Sequence, residues 1–318
     1  MYKNIFKTLI IFLSLICAKS IPIQEIKLKG LITNPKQEIS GMDWYKDNLF
    51  FLPENLGGHL FRLTKKEIQE AINIKHSKTL LPIKTKLNTP DYSKTISGFD
   101  GFEAIAFNKN KVYLTIEAEN NDTMEGYIVW GTINPKSYEI NIKAKNIKKI
   151  QTPIQIDNLS FESIIINDNN ALILYESNGI NLRKNPFQIL IGLNDFVSKK
   201  IKAPNIEYRI TDGTKLKNNQ FWAINYYWPG DKNKLNPGID NLLFNDSKKI
   251  NNDQTVERLI EFIIKDDKLM LTNKKPINLI LEDGKSRNWE GIVRYGESGF
   301  LIATDKHPRM ILAYVNID

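Results

Sequence analysis

Five side chains with oxygen at their tips recur at one position of a repeated segment, and their chemistry is the most informative feature of this sequence. The segments are ISGMDWYKDNLFFLPEN from Ile39, FEAIAFNKNKVYLTIEAE from Phe102, FESIIINDNNALILYESN from Phe161, ITDGTKLKNNQFWAINYY from Ile210 and WEGIVRYGESGFLIATDK from Trp289. Their second positions are Ser40, Glu103, Glu162, Thr211 and Glu290. Brought to one point, three carboxylates repel unless a cation or a proton neutralises them. A hard cation that accepts many oxygens suits such a set, and calcium takes about 6–8 of them at roughly 2.3–2.6 Å. No nitrogen or sulfur ligand recurs, which argues against zinc or copper. The alternative is that these acids are protonated, or bonded to backbone amides, and only fix the centre of the fold.

Fourteen residues after each of these positions stands a second polar residue: Glu54, Glu117, Glu176, Asn225 and Thr304, the last beside Asp305. Lys306, His307 and Arg309 add nearby cations, and Tyr226, Tyr227 and Trp228 add aromatics. This second set reads as the wall of a ligand site. Glu117 or Glu176 could act as a general base there, Lys306 and Arg309 could offset the charge of a phosphate, and Glu54, Asn225, Asp305 and His307 complete the candidate ligand contacts.

The elements that must position these residues are β-hairpins. Each segment carries a short apolar strand, a polar turn (KDN, NKNK, NDNN, KNNQ, GES) and a second apolar strand. Five such hairpins imply four-stranded sheets repeated radially, an all-β propeller whose first strands line a central channel. Antiparallel pairing then puts the end of the second strand beside the start of the first, so both polar sets open at one mouth. Further strands are expected at 126–133, after Ser137, at 187–193, before Pro204, and at 257–264 followed by KLMLT. A surplus at roughly 229–256 reads as an inserted loop. The fifth unit lacks a fourth strand, and IPIQEIKLKGL near the amino terminus is a lone strand that can complete it. This count favours five blades, with six as the alternative. Thr64 and Glu67 form a capping box before one short helix.

Order and spacing of the ring residues, in ISGMDW, FEAIAF, FESIII, ITDGT and WEGIV, resemble the SdiA-regulated family of exported bacterial propellers. The ring is also similar to the inner ring of five-bladed calcium-activated nucleotidases (apyrases), and the EGI-type hairpins are similar to phytase-like esterase propellers. These resemblances imply a calcium-binding propeller without settling a reaction. The fourth unit departs from the pattern. Thr211 stands in place of serine and is followed by Asp212, so either residue could face an ion.

The opening MYKNIFKTLIIFLSLICAKS has the charged start, short apolar run and small residues of an export signal over residues 1–20. A single propeller domain over 21–318, beginning at Ile21 and exported to the periplasm or secreted, is therefore expected. A lipidated Cys17 is the alternative. Cys17 is the only cysteine, which leaves the expected mature chain without disulfides or thiolate chemistry. Without the three signal lysines the chain keeps 41 basic and 36 acidic residues, a mild surplus that would suit an acidic small-molecule or envelope ligand. No nucleic-acid module, P-loop, GxGxxG, GxSxG or HExxH motif is present, and no transmembrane segment follows the signal. Two functions remain open: a calcium-stiffened binding propeller, and a calcium-dependent hydrolase of phosphoryl or carboxyl esters.

Overall fold

The structure, a computed structural model, describes residues 20–54, 58–74, 78–121, 123–242, 254–281, 285–297 and 299–317. The signal segment and Cys17 lie outside the described residues. Polar turns set the architecture locally. Between the first and second strands of the five units, Lys46, Lys109, Asp168, Asn218 and Gly296 each adopt a left-handed conformation, which reverses the chain tightly enough for a hairpin.

Each hairpin grows into a four-stranded antiparallel blade. The first contains Ile39–Tyr45, Asn48–Pro53, His59–Thr64 and Ile83–Asn88. In the second are Phe99–Asn108, Lys111–Asn120, Thr123–Ile133 and Ile140–Ile150. The third holds Phe161–Asn167, Asn170–Tyr175, Phe187–Gly192 and Ser198–Lys202. Ile206–Gly213, Gln220–Tyr227, Val256–Lys265 and Lys268–Leu271 build the fourth. The fifth has Trp289–Tyr295, Gly299–Thr304 and Leu312–Asn316, and its outer strand is the amino-terminal Ile23–Ile26.

First strands touch in sequence around a ring that closes between blades five and one. The fold is thus a five-bladed β-propeller. Its apolar residues separate into five clusters, one at each blade interface. Phe50 of blade one packs with Phe107 of blade two, for example, and Trp222 of blade four with Phe300 of blade five. The short helix Lys65–Asn73 starts at the expected capping box of Thr64 and Glu67. Among the described residues no helix is long and apolar enough to cross a membrane.

The closing strand is held in register from Ile23 opposite Val315 to Ile26 opposite Leu312. Arg309 adds a two-pronged ion pair to Glu25, at 2.9 and 2.7 Å. Just before it, Ser20 and Ile21 pair in parallel with Asn278 and Leu279 of the fourth unit, so one short segment ties two blades together. The fourth-unit insert folds back over its own blade, and Asn181 Nδ2 of the third unit donates to Asn236 O within it. There Gly238 N donates to Glu207, and Asp240 accepts a bidentate Arg258 fork that is itself buried. Its later part, 243–253, lies outside the described residues.

Deleting residues 21–31 would remove the buried Ile21 and Ile26 and uncover the edge of Leu312–Asn316. Burial of two such side chains is worth about 3–6 kcal/mol, and an open edge invites association. The truncated protein is expected to aggregate or to melt several degrees lower in a calorimetric scan. An unchanged melting temperature would show that the clasp does not hold the ring.

Candidate functional site

Every ring residue sits at a β-bulge. In blade one, Ile39 pairs with Pro53 and Gly41 with Leu52, which leaves Ser40 as the extra residue. Glu162 and Glu290 are extra in the same way between Phe161 and Ser163, and between Trp289 and Gly291. In blade two, Glu103 and Ala104 share the interval opposite Thr115, and in blade four Thr211 and Asp212 share the interval opposite Ile224. A bulge bends its strand and re-aims the extra side chain, and here the bulges turn four of the five toward the axis.

Ser40, Glu103, Glu162 and Glu290 line one mouth of the channel, a cavity of about 200 Å³. Thr211 does not reach its wall. Fully buried, it donates to Trp289 O of the next blade at 2.5 Å. Ser40 makes the same bond to Phe102 O, also at 2.5 Å, while staying on the wall. Asp212, the other residue the sequence offers in blade four, faces away from the mouth. Its carboxylate accepts from Ile292 N, Gly213 N and Ser163 Oγ, linking three blades.

The second polar set divides. Glu54, Glu117 and Asp305 line the cavity, as does Lys306, which pairs with Glu38 at 3.0 Å. Glu176 lies buried behind the wall, where one oxygen accepts from Ser160 N and the other from Arg209 Nε. Asn225 is buried too, between two backbone carbonyls and Arg258. Thr304 caps its own turn through Arg309 O and Ile311 N. Of the other candidates, Arg309 is turned outward to Glu25, and His307 is exposed, its backbone donating to Asp305. Tyr226 and Tyr227 are core residues, whereas Trp228 is exposed.

The residue that the repeats do not reveal is Arg209. It enters the cavity from the start of the fourth blade's first strand, bonds Glu176 and comes within 3.9 Å of Glu162. A second irregularity delivers it: Asn178 pairs with Ile206 and Ser177 with Arg209, and Tyr208 between them is left-handed at φ 74°. Arg209 stands two residues before Thr211. The equivalent residues of blades one and five, Glu38 and Asn288, line the mouth as well. This period-two echo of the ring is the signal that could have exposed all three.

The electrostatics follow from this crowding. Seven carboxyl groups on the wall (Glu38, Glu54, Glu103, Glu117, Glu162, Glu290 and Asp305) face two cations, Arg209 and Lys306. Burial, and after it the charges of Glu54, Glu117 and Glu290, pushes Glu103 well above the usual carboxylate range. Burial raises Glu162 and Glu290 likewise, against the opposing pull of Arg209. Glu117 is pushed up to about 8 by burial and by Glu176. Burial disfavours the charge of Arg209, but Glu176, Glu290 and Glu162 more than offset it and hold the group firmly protonated. Two oxygens, Glu117 Oε2 and Glu290 Oε2, are buried with no hydrogen-bond partner among the described residues. Glu117, Glu162 and Glu176 also offer oxygens that lie within 4.8 Å of one another.

No protein-family model and no curated protein matches the chain, so the resemblance to the SdiA-regulated and nucleotidase propellers rests on the short motifs alone. Among solved structures it is similar to a hypothetical protein from Leishmania major (11% identity, 95% of this chain and 90% of that one, TM-score 0.48). It is also similar to a thermostable family-43 glycoside hydrolase (10% identity, 88% and 91%, TM-score 0.49). A third is an α-L-arabinanase mutant from Cellvibrio cellulosa (10% identity, 88% and 91%, TM-score 0.47).

Because folded Glu117 keeps its proton to about 8 while an unfolded glutamate releases it near 4.5, the folded state binds the extra proton between those values. Raising pH across that window therefore favours unfolding. In chelator, the protein is expected to lose stability from about pH 5 to 8 in urea melts, and Glu117→Gln should flatten the slope. A parent protein with no such loss would contradict this assignment of the proton.

Proposed function

We propose that the acidic mouth holds one divalent cation, calcium, and that this ion and the surrounding wall bind a ligand in an exported propeller of the periplasm or extracellular space. The supporting observation is the pair of orphaned oxygens on Glu117 and Glu290 within a buried acidic wall that Arg209 neutralises only in part. An unpaired buried carboxylate oxygen costs about 1–3 kcal/mol or more, and a cation relieves that cost. The donors are all oxygens, which fits a hard ion. Glu103, Glu117, Glu162 and Glu290, with the Ser40 hydroxyl, would hold it. Glu176 is committed to Arg209 and Ser160. When bound, the ion would offset the mutual repulsion of the carboxylates and, at an open position, polarise an oxygen of the ligand. An acidic ligand needs such an ion here, since the wall alone repels it and, among the described residues, Lys306 is the only other cation beside Arg209 on it.

Hydrolysis of phosphoryl or carboxyl esters is the second reading, and one observation favours it. Glu117 lines the cavity and carries a proton at neutral pH, so it could donate that proton to a leaving group. Glu176, the other candidate base, is locked away from the cavity by Arg209. Turnover of p-nitrophenyl phosphate, p-nitrophenyl acetate and nucleoside diphosphates, with and without calcium, separates the two readings. Catalysis should vanish in Glu117→Gln.

Calcium binding to the folded state alone should raise stability by about 2.7 kcal/mol at a hundredfold excess over Kd. Differential scanning fluorimetry is expected to show melting several degrees higher in calcium than in chelator, with magnesium a poor substitute. Glu290→Gln and Glu162→Gln should shrink the shift. If either variant responds to calcium like the parent, the ring does not hold the ion.

A further inference from the structure

Lysines and exposed aliphatic side chains intermingle on the outer rim of the propeller where the ring closes, between blades five and one. The chain passes this rim twice. Residues 27–37, KLKGLITNPKQ, follow the closing strand Ile23–Ile26, and residues 78–88, KTLLPIKTKLN, lead into and form the outer strand of blade one, Ile83–Asn88. The two passes are bonded side by side: Leu80 N donates to Lys27 O at 2.8 Å and Lys29 N to Leu80 O at 2.9 Å. Leu81 then lies against Gly30, so closely that a Cβ on the glycine would come within 2.5 Å of its Cδ1.

Leu31, Leu81 and Ile83 are 43, 57 and 47% exposed, so three of the ten large hydrophobic side chains exposed among the described residues gather here. Ile83 continues the inward row of the buried Thr85 and Leu87, but blade two's outer strand pairs with this one only at Leu87 and Asn88 and leaves its start uncovered. Exposed apolar surface rimmed by polar groups marks an interaction site more often than a lone exposed leucine does.

The two segments hold six lysines and no acid. Lys78 is held by Glu70, whereas Lys27, Lys29, Lys36, Lys84 and Lys86 are exposed and make no ion pair among the described residues. Neighbouring acids are committed elsewhere: Glu25 to Arg309, Glu38 to Lys306 and Glu67 to the helix cap. Lysine on an open edge strand deters pairing with another sheet, which accounts for Lys84 and Lys86 alone. It explains neither the aliphatic side chains left uncovered beside them nor Lys27, Lys29 and Lys36, which lie on no strand.

We propose that this rim docks on an anionic lipid bilayer. Leu31, Leu81 and Ile83 enter the headgroup layer, and the exposed lysines meet lipid phosphates. Apolar side chains set among lysines are the combination an interfacial site requires, because buried apolar area and attraction to anionic headgroups reinforce one another. A second copy of the chain fits poorly, since a two-fold contact would set lysine against lysine. Docking here is independent of any reading of the acidic mouth, for none of these residues lines it.

The test is co-sedimentation of the full-length protein, in chelator, with vesicles of mixed phosphatidylglycerol and phosphatidylcholine and with vesicles of phosphatidylcholine alone. Binding is expected to favour the anionic vesicles and to weaken as added salt screens the lysines. Lys84→Gln and Lys86→Gln should each weaken it by about fivefold. Ile83→Ser should weaken it too while leaving binding to heparin unchanged, which separates a bilayer from a soluble polyanion. All three side chains are exposed, so the variants are expected to melt like the parent. Hydrogen exchange on anionic vesicles should show added protection at residues 27–31 and 80–86, and none at the similarly lysine-rich Ser198–Lys202 of blade three. No preference for anionic vesicles, protection confined to other segments, or variants that bind like the parent would overturn the proposal.

Discussion

Four bulged residues, Ser40, Glu103, Glu162 and Glu290, turn buried oxygen atoms toward one axis, and the charge gathered there is the constraint around which the rest of this propeller is organised. Glu103, Glu117, Glu162, Glu176 and Glu290 are each less than a tenth exposed. Like charges in such surroundings interact far more strongly than in water. The chain answers in three ways. Arg209 neutralises the side formed by blades three and four. Protons are retained on carboxyls that would ordinarily have lost them, as at Glu117. On the side formed by blades two and five, Glu117 Oε2 and Glu290 Oε2 are kept apart from any hydrogen-bond partner among the described residues.

Holding such a cluster together demands a rigid frame, and the polar residues beside the ring supply it. Ser40 and Thr211 donate to carbonyls of the following blade. Asp43 and Asp212 accept from amides of the following blade, Phe107 and Ile292, at 2.7 and 2.8 Å. The same two relations therefore recur at the one–two and four–five interfaces, although the aspartate is three residues past the ring position in blade one and one residue past it in blade four. These bonds fix the first strands against one another where repulsion would spread them. The amino-terminal clasp completes the frame by closing blade five and touching blade four.

Much of this was legible in the sequence, for a physical reason. Hairpins are local, so the turn residues at Lys46, Lys109, Asp168, Asn218 and Gly296 mark every blade, and the missing outer strand of blade five points to Ile23–Ile26. The fourteen-residue spacing correctly names which end of the second strand a residue occupies. It says nothing of depth, which is why Asn225 and Thr304 prove to be buried structural links and Glu176 sits behind the wall rather than on it. Bulges belong to the register between two strands, so their coincidence with the ring cannot be read from either strand alone. Arg209 was hidden because it precedes the repeated segment and depends on the strained turn at Tyr208. The pairing of Arg309 with Glu25 joins residues from opposite ends of the chain, beyond any local pattern.

The central claim is that calcium replaces protons within this cluster. Binding should therefore release protons, and calcium titrations at about pH 7 in two buffers of different ionisation enthalpy measure that release directly. The account predicts one calcium per chain and a net release approaching one proton or more, reduced in Glu117→Gln, whose side chain has none to give. Calcium that binds with the same heat in both buffers, or that does not bind at all, would contradict it.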